Sequence, residues 1–136
     1  MAKKAKAYVL DTWAVIAYLE DEPSAVQIGD LIATAHEEQI PIYMSVVNVG
    51  EVWYTIAREI SEEEANASVK ELRDLRIHFE NADWELTQEA ARFKSQHKMS
   101  YADCYAAALT KSYKADLVTG DGEFKAVEGQ VKIHWV

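Results

Sequence analysis

Short apolar runs alternate with longer segments of helical periodicity along this chain. The short runs predict strands at residues 6–10, 41–44, 76–80, 116–119 and 131–136, with the last strand at an edge of its sheet. The longer segments predict helices at residues 12–20, 24–38, 46–60, 62–75, 86–97 and 101–113. Ser24, Ser61 and Ser100 stand where the second, fourth and sixth of these helices begin, and serine favours that position.

This alternation indicates an α/β fold. Strands joined through helices make right-handed crossovers, which produce a parallel sheet covered on both faces. We therefore expect a three-layer α/β/α sandwich with a central parallel sheet of four to five strands. No internal repeat or linker composition divides the chain, so residues 1–136 are expected to form a single domain. In such folds the functional crevice lies beyond the carboxyl ends of the strands.

Four acidic residues are predicted to meet at that crevice. Asp11 directly follows the first strand, and Asp121 follows the fourth strand by two residues. Glu51 stands among valines in the helix 46–60, and Asp103 lies in the first turn of the helix 101–113. Carboxylates in apolar surroundings need a partner, and no lysine or arginine lies nearby in the sequence to provide one. A set of oxygen ligands without histidine or thiolate favours Mg²⁺ or Mn²⁺.

Each acid also has a purely structural interpretation. Asp11 and Asp103 are equally compatible with helix capping or with a favourable interaction with the helix dipole. Asp121, in the sequence TGDGEF, is typical of a turn, and only Glu51 lacks a simple structural explanation. Asp116 and Glu123 are interpreted as solvated acids near the same edge. The convergence of all four acids at one edge of the predicted sheet favours the metal site.

Composition qualifies this hypothesis. The net charge is −9, which opposes binding of a polyanion unless metal, a local basic rim or a basic partner compensates. Two bound divalent cations would change the charge from −9 to about −5. One cysteine, Cys104, excludes an internal disulfide, and no apolar stretch is long enough to cross a membrane. A soluble cytoplasmic protein is expected.

Four short motifs resemble the PIN-domain family, which includes the VapC-type toxins of toxin–antitoxin pairs. They are VLDT at 9–12, NVGEV at 48–52, SYADCYAAAL at 100–109 and TGDGEF at 119–124, in the order of the family. The resemblance implies Mg²⁺- or Mn²⁺-dependent endonucleolytic cleavage of RNA that leaves a 5′-phosphate and a 3′-hydroxyl. The family's acidic positions fall on Asp11, Glu51, Asp103 and Asp121. Its hydroxyl after the first acid falls on Thr12, its threonine before the last acid on Thr119, and its aromatic residue on Phe124.

The roles expected for these residues follow from the resemblance together with metal chemistry. Asp11 and Asp103 are expected to bind metal directly, Glu51 directly or through water, and Asp121 at a second metal position. Thr12 and Thr119 are expected either to orient metal-bound water or to cap the next helix or turn. Asn48, one helical turn before Glu51, is assigned to the same pocket as a supporting residue, with helix surface as the alternative.

Three alternatives remain at this point. A receiver domain or a haloacid-dehalogenase-type phosphatase also uses an acidic pocket, but the only nearby lysine, Lys125, is poorly positioned for either. A non-catalytic PIN-fold binding module would not need all four acids. Within the family, a stand-alone nuclease competes with the toxin of a type II pair; the short length favours the toxin. The expected partners are then RNA, a small antitoxin protein and a second copy of the chain.

Overall fold

The protein forms a five-stranded parallel sheet with helices on both faces, as seen in a computed structural model that describes residues 4–136. The first three residues of the predicted domain lie outside this range. The strands are β1 Tyr8–Leu10, β2 Ile42–Ser45, β3 Ile77–Glu80, β4 Asp116–Thr119 and β5 Lys132–Trp135. The helices are α1 Thr12–Leu19, α2 Ala25–Glu37, α3 Val46–Glu59, α4 Glu62–Asp74, α5 Trp84–Gln96 and α6 Tyr101–Tyr113, and a 3₁₀ helix spans Gly122–Val127. The predicted α/β/α sandwich is confirmed.

The strand order creates one crevice at the carboxyl edge of the sheet. The order is β3-β2-β1-β4-β5, and every neighbouring pair is parallel. The chain builds outward from β1 to β3 and then returns to the other side of β1 to form β4. This reversal between β1 and β4 is the point at which ligands bind in open α/β sheets. Leu10 pairs with Val118, so the segments that follow β1 and β4 leave the sheet side by side.

Two hydrophobic clusters lie on the two faces of the sheet. Val9 and Leu117 pack with α5 and α6 in one cluster, in which Phe93 is among the largest buried side chains. Leu10 and Val118 pack with α1 to α4 in the other cluster. Successive strand residues point to opposite faces, so a sheet buried on both sides needs apolar residues at consecutive positions. This requirement explains the short continuous apolar runs in the sequence.

The helix starts follow the predicted capping residues with two differences. The Ser61 hydroxyl accepts a hydrogen bond from Glu64 N, and the Ser100 hydroxyl accepts one from Asp103 N, at 3.0 and 3.1 Å. Ser24 stands at the N-cap of α2 but makes no capping hydrogen bond with its side chain. α5 begins at Trp84 rather than at residue 86, because Asp83 caps it by accepting from Leu86 N.

Candidate active site

Asp11 lies between the sheet and α1 and is almost completely buried. It is the N-cap of α1, and its Oδ1 accepts a hydrogen bond of 2.8 Å from Ala14 N. Its Oδ2 accepts a hydrogen bond of 2.6 Å from the Thr119 hydroxyl at the end of β4. The side chain is only 1% exposed. Asp11 therefore caps α1 and also lies in the crevice, two interpretations that the sequence left as alternatives.

Thr119 connects the two strands that border the crevice. Besides donating to Asp11, its hydroxyl accepts a hydrogen bond of 3.0 Å from Asp121 N. Asp121 in turn accepts from Glu123 N through Oδ1, also at 3.0 Å, and so caps the 3₁₀ helix. Thr119 thus both orients an acid and fixes the following turn. The turn that leaves β4 is held in the conformation that keeps Asp121 beside the carboxyl end of β1.

α6 carries Asp103 to the same place. Ser100 caps this helix, and its alanines at 106, 107 and 108 are fully buried, which lets the helix lie close to β1 and β4. Asp103, Asp121 and Glu123 each present a carboxylate oxygen within 4.8 Å of the others. Glu123 was expected to be a solvated acid; it is exposed, but its carboxylate belongs to this cluster. The sequence could have indicated that Glu123 joins the cluster, because it lies two residues after Asp121 inside a turn.

Glu51 joins the site through a hydrogen-bonded bridge between α1, α3 and α6. The Thr12 hydroxyl donates to Glu51 Oε1 at 2.6 Å. Asn48 Nδ2 lies 3.2 Å from the Thr12 hydroxyl oxygen and donates to Ala102 O at 3.1 Å. Asn48 is fully buried, so the alternative that placed it on the helix surface is wrong. Its Oδ1 is buried without a hydrogen-bond partner among the described residues.

Burial, with a smaller contribution from mutual repulsion, raises the pKa values of two of these carboxylates. Burial raises the pKa of Asp11 to about 7 against the lowering effect of its hydrogen bonds with Thr119 and Ala14, and the charges of Asp103 and Asp121 add smaller increases. Burial also raises the pKa of Asp103 to about 6, and Asp121, Glu51 and Glu123 add to this shift. None of the described lysines or arginines forms an ion pair with any of these five acids.

The arrangement fits a hard divalent cation. Its donors are all oxygens, two of its carboxylates are held partly protonated near neutral pH, and one buried amide oxygen lacks a partner. A cation held by the carboxylates would offset their repulsion, and Mg²⁺ and Mn²⁺ prefer oxygen ligands. Cys104, next to Asp103 in sequence, lies in the α5–α6 core cluster, where burial raises its pKa, so it does not supply a reactive thiolate.

Trp13 packs against the turn that carries Asp121. A Cβ added to Gly120 would lie 2.2 Å from Trp13 Cη2, so the indole ring touches the Gly120 backbone. Trp13 follows Thr12 on α1, and the contact therefore joins the two crevice segments that carry Asp11 and Asp121.

We expect Gly120→Ala to destabilise the protein by about 1–3 kcal/mol, because the rigid indole has to move away from the new methyl group. Urea denaturation measures this change. Gly122→Ala is the matched control, since a Cβ there meets nothing within 4 Å. Equal stability of the two variants would contradict the proposed packing role of Gly120.

The fold and the site define an α/β protein with an acidic crevice at the point where the strand order reverses. The family model described as "PIN domain" matches residues 8–130, and the chain belongs to this family. PIN domains are typically nucleases and generally bind divalent metals. A search of curated proteins gave no match.

Solved structures share the fold at low sequence identity. VapBC2 from Rickettsia felis, bound to a promoter DNA fragment, aligns with a TM-score of 0.75 and 17% identity over 96% of this chain and 98% of its own. VapC20 of Mycobacterium tuberculosis, a toxin that cleaves the sarcin-ricin loop, aligns with a TM-score of 0.73 and 18% identity over 94% and 99%. DNA-bound VapBC from Salmonella typhimurium gives 0.72 and 15% over 94% and 96%.

The helices of residues 4–136 include none that is long and apolar enough to cross a membrane.

Proposed function

We propose that this protein is a Mg²⁺- or Mn²⁺-dependent endoribonuclease that hydrolyses RNA phosphodiester bonds. The observation that carries the proposal is the gathering of carboxylates from four separate parts of the chain, with Asp11 buried and no cationic side chain paired with any of them. Such a site costs free energy in the metal-free protein, since like charges are held together away from water. Membership of the PIN domain family supports the same chemistry.

The residues have separate roles in this proposal. Asp11, Asp103 and Asp121 would hold the cation, and Glu51 would supply a further carboxylate beside them. When bound, the cation would polarise water and the phosphate oxygens as a Lewis acid. Thr119 orients Asp11 by a 2.6 Å hydrogen bond, and Thr12 does the same for Glu51. Glu51 Oε2 receives only a long hydrogen bond of 3.4 Å from Tyr54, which leaves this atom free to accept a proton from the attacking water.

We further propose that the nuclease is the toxin of a type II toxin–antitoxin pair. Several of its structural neighbours are VapBC complexes, in which the toxin is bound to an antitoxin. The proposed partners are a small antitoxin protein and a second copy of this chain. An antitoxin segment that places arginine or lysine among the five carboxylates would neutralise the site in the same way as a cation.

A cleavage assay on labelled single-stranded RNA tests the proposed activity. We expect cleavage with Mn²⁺ or Mg²⁺, none with EDTA, and products that carry a 5′-phosphate. Measurement of aspartyl-phosphate after incubation with a phosphodonor tests the phosphoryl-transfer alternative, which has no support from Lys125 because that residue is exposed on the 3₁₀ helix. Absence of cleavage with both metals, by protein that is folded and free of antitoxin, would overturn the proposal.

A further inference from the structure

A basic groove runs along the open edge of the sheet, away from the acidic crevice. β3 pairs only with β2 among the described strands, so its other edge is free. Two adjoining clefts of about 640 and 270 Å³ lie beside it and share Arg76 and His78. We call these two clefts together the edge groove. The polar and aromatic residues that line it include Tyr43, Arg73, Arg76, His78 and Tyr113, together with His36 in the smaller cleft.

The charge of the edge groove is opposite to that of the whole chain. The protein has a net charge of −9, yet this groove contains two arginines and two histidines. Arg73 and Arg76 form no ion pair with a described carboxylate. The one acid in the lining, Glu80, accepts a hydrogen bond of 2.8 Å from the Tyr113 hydroxyl. The Arg73 guanidinium lies over the Phe79 ring, 4.5 Å from its centroid, and its charge, like that of Arg76, is not neutralised by a described carboxylate.

The aromatic rings of the edge groove form a row. Tyr43 and Tyr113 are stacked, with ring centroids 4.0 Å apart and planes at 6°. His78, the partner of Tyr43 on the neighbouring strand β3, has its ring centroid 5.6 Å from that of Tyr43, with the planes tilted by 41°. His78 is exposed, so a flat face remains at the end of the row. Aromatic faces beside cationic side chains are the combination that binds single-stranded nucleic acid, because bases stack while phosphates are neutralised.

We infer that the edge groove binds single-stranded RNA as an anchor site outside the acidic crevice, with Arg73 and Arg76 on phosphates and a base stacked on His78. The inference rests on the proposed RNA substrate. The two sites belong to one sheet, and β3 is separated from β1 by two strand spacings, or about 10 Å. A neighbouring cleft beyond Glu80 is lined by Asp83, Glu85 and Glu89 with a single lysine, Lys111, which is already paired with Glu89, so the basic side of Glu80 is the more favourable path for RNA.

The charge contribution is tested with the double variant Arg73→Gln/Arg76→Gln. Binding of a fluorescein-labelled single-stranded RNA is measured by anisotropy in EDTA, which prevents cleavage, at several salt concentrations. We expect Kd to rise at least about tenfold and the slope of log K against log salt to fall by about 1.4, since each lost phosphate contact contributes about 0.7 for single strands. The matched control is Lys4→Gln/Lys132→Gln, which removes the same charge from two exposed lysines outside the edge groove, paired with Glu38 and Asp116.

The stacking contribution is tested with His78→Ala, for which we expect weaker binding by about fivefold or more with an unchanged salt slope. In cleavage assays the arginine double variant is expected to raise KM and leave kcat unchanged. Wild-type values of Kd, salt slope and KM in that variant would overturn the anchor site while leaving the nuclease intact. Loss of RNA binding by the arginine double variant would support the anchor site. If the wild-type protein binds RNA but does not cleave it, the nuclease proposal is refuted while the anchor site stands.

No measurable RNA binding by the wild-type protein would also overturn the anchor site. The free edge of β3 can accept a peptide strand or a second copy of the chain instead. Light scattering of the arginine double variant detects this outcome. A changed oligomeric state together with unchanged RNA binding would assign the edge groove to protein contacts and contradict the inference.

Discussion

Asp103→Asn is expected to lower Mn²⁺-dependent RNA cleavage by at least about 100-fold while the protein remains folded. The substitution keeps the shape of the side chain, and the Ser100 cap of α6 depends on the backbone N–H of residue 103 rather than on its carboxylate. What is lost is one anionic oxygen donor close to Asp121 and Glu123. The measurement is the cleavage rate of labelled RNA at saturating Mn²⁺, with circular dichroism to verify folding.

Asp116→Asn is the matched control for this experiment. Asp116 is also a buried aspartate, but it lies at the start of β4, where it pairs with Lys132 at 3.5 Å, and not at the acidic crevice. We expect this variant to cleave RNA at close to the wild-type rate. Comparable losses in both variants would attribute the effect to general damage to the fold, and full activity of Asp103→Asn would refute the metal-site hypothesis.

Asp11→Asn is expected to stabilise the metal-free protein at about pH 8 and to have little effect at about pH 4. The pKa of this carboxyl is raised from 3.8 to about 7 in the folded protein. Between these two pKa values the folded state therefore binds more protons than the unfolded state. The stability of the wild-type protein falls as the pH rises from the unfolded-state pKa to the folded-state pKa. One pKa unit corresponds to about 1.4 kcal/mol, so the full cost of ionised Asp11 reaches about 4 kcal/mol. Asparagine removes this cost but weakens the hydrogen bond with Thr119, so the expected net gain is about 2 kcal/mol.

Urea denaturation in EDTA at both pH values measures this difference. When the measurement is repeated with Mn²⁺, we expect the wild-type protein to be more stable than the variant. A cation bound to the folded state stabilises the wild-type protein by RT ln(1 + [L]/Kd), and the variant without this ligand does not gain the same amount. An Asp11→Asn protein that is less stable than wild type in EDTA at about pH 8 would contradict the electrostatic cost that we assign to the site.

The sequence predicted the fold class and the meeting point of the acids because both depend on local patterns. Asp11 and Asp121 follow apolar strands, and parallel strands end at one edge, so their proximity is a consequence of topology. Glu51 could be placed in the same way, because α3 begins directly after β2, whereas Asp103 lies in the first turn of α6, which follows α5 and leads into β4.

Other features depend on tertiary contacts that have no local signal. The burial of Asn48 results from the approach of α1 and α6 to α3, which periodicity within α3 does not encode. Glu123 joins the acidic cluster only because Asp121 caps the 3₁₀ turn. The edge groove could not be predicted from the sequence either, since Arg73 lies in the last turn of α4 while Arg76 follows the helix with a positive φ of 60°. Arg76 begins the connection to β3, and this turn after α4 places both arginines beside the edge strand.

Anomalous diffraction from crystals soaked in Mn²⁺ tests the central claim most directly. We expect an anomalous difference peak between the carboxylates of Asp11, Asp103 and Asp121, within bonding distance of their oxygens, and no such peak in crystals of Asp103→Asn. Crystals that take up Mn²⁺ elsewhere, or show these carboxylates bound to arginine or lysine side chains of the same chain, would contradict the account.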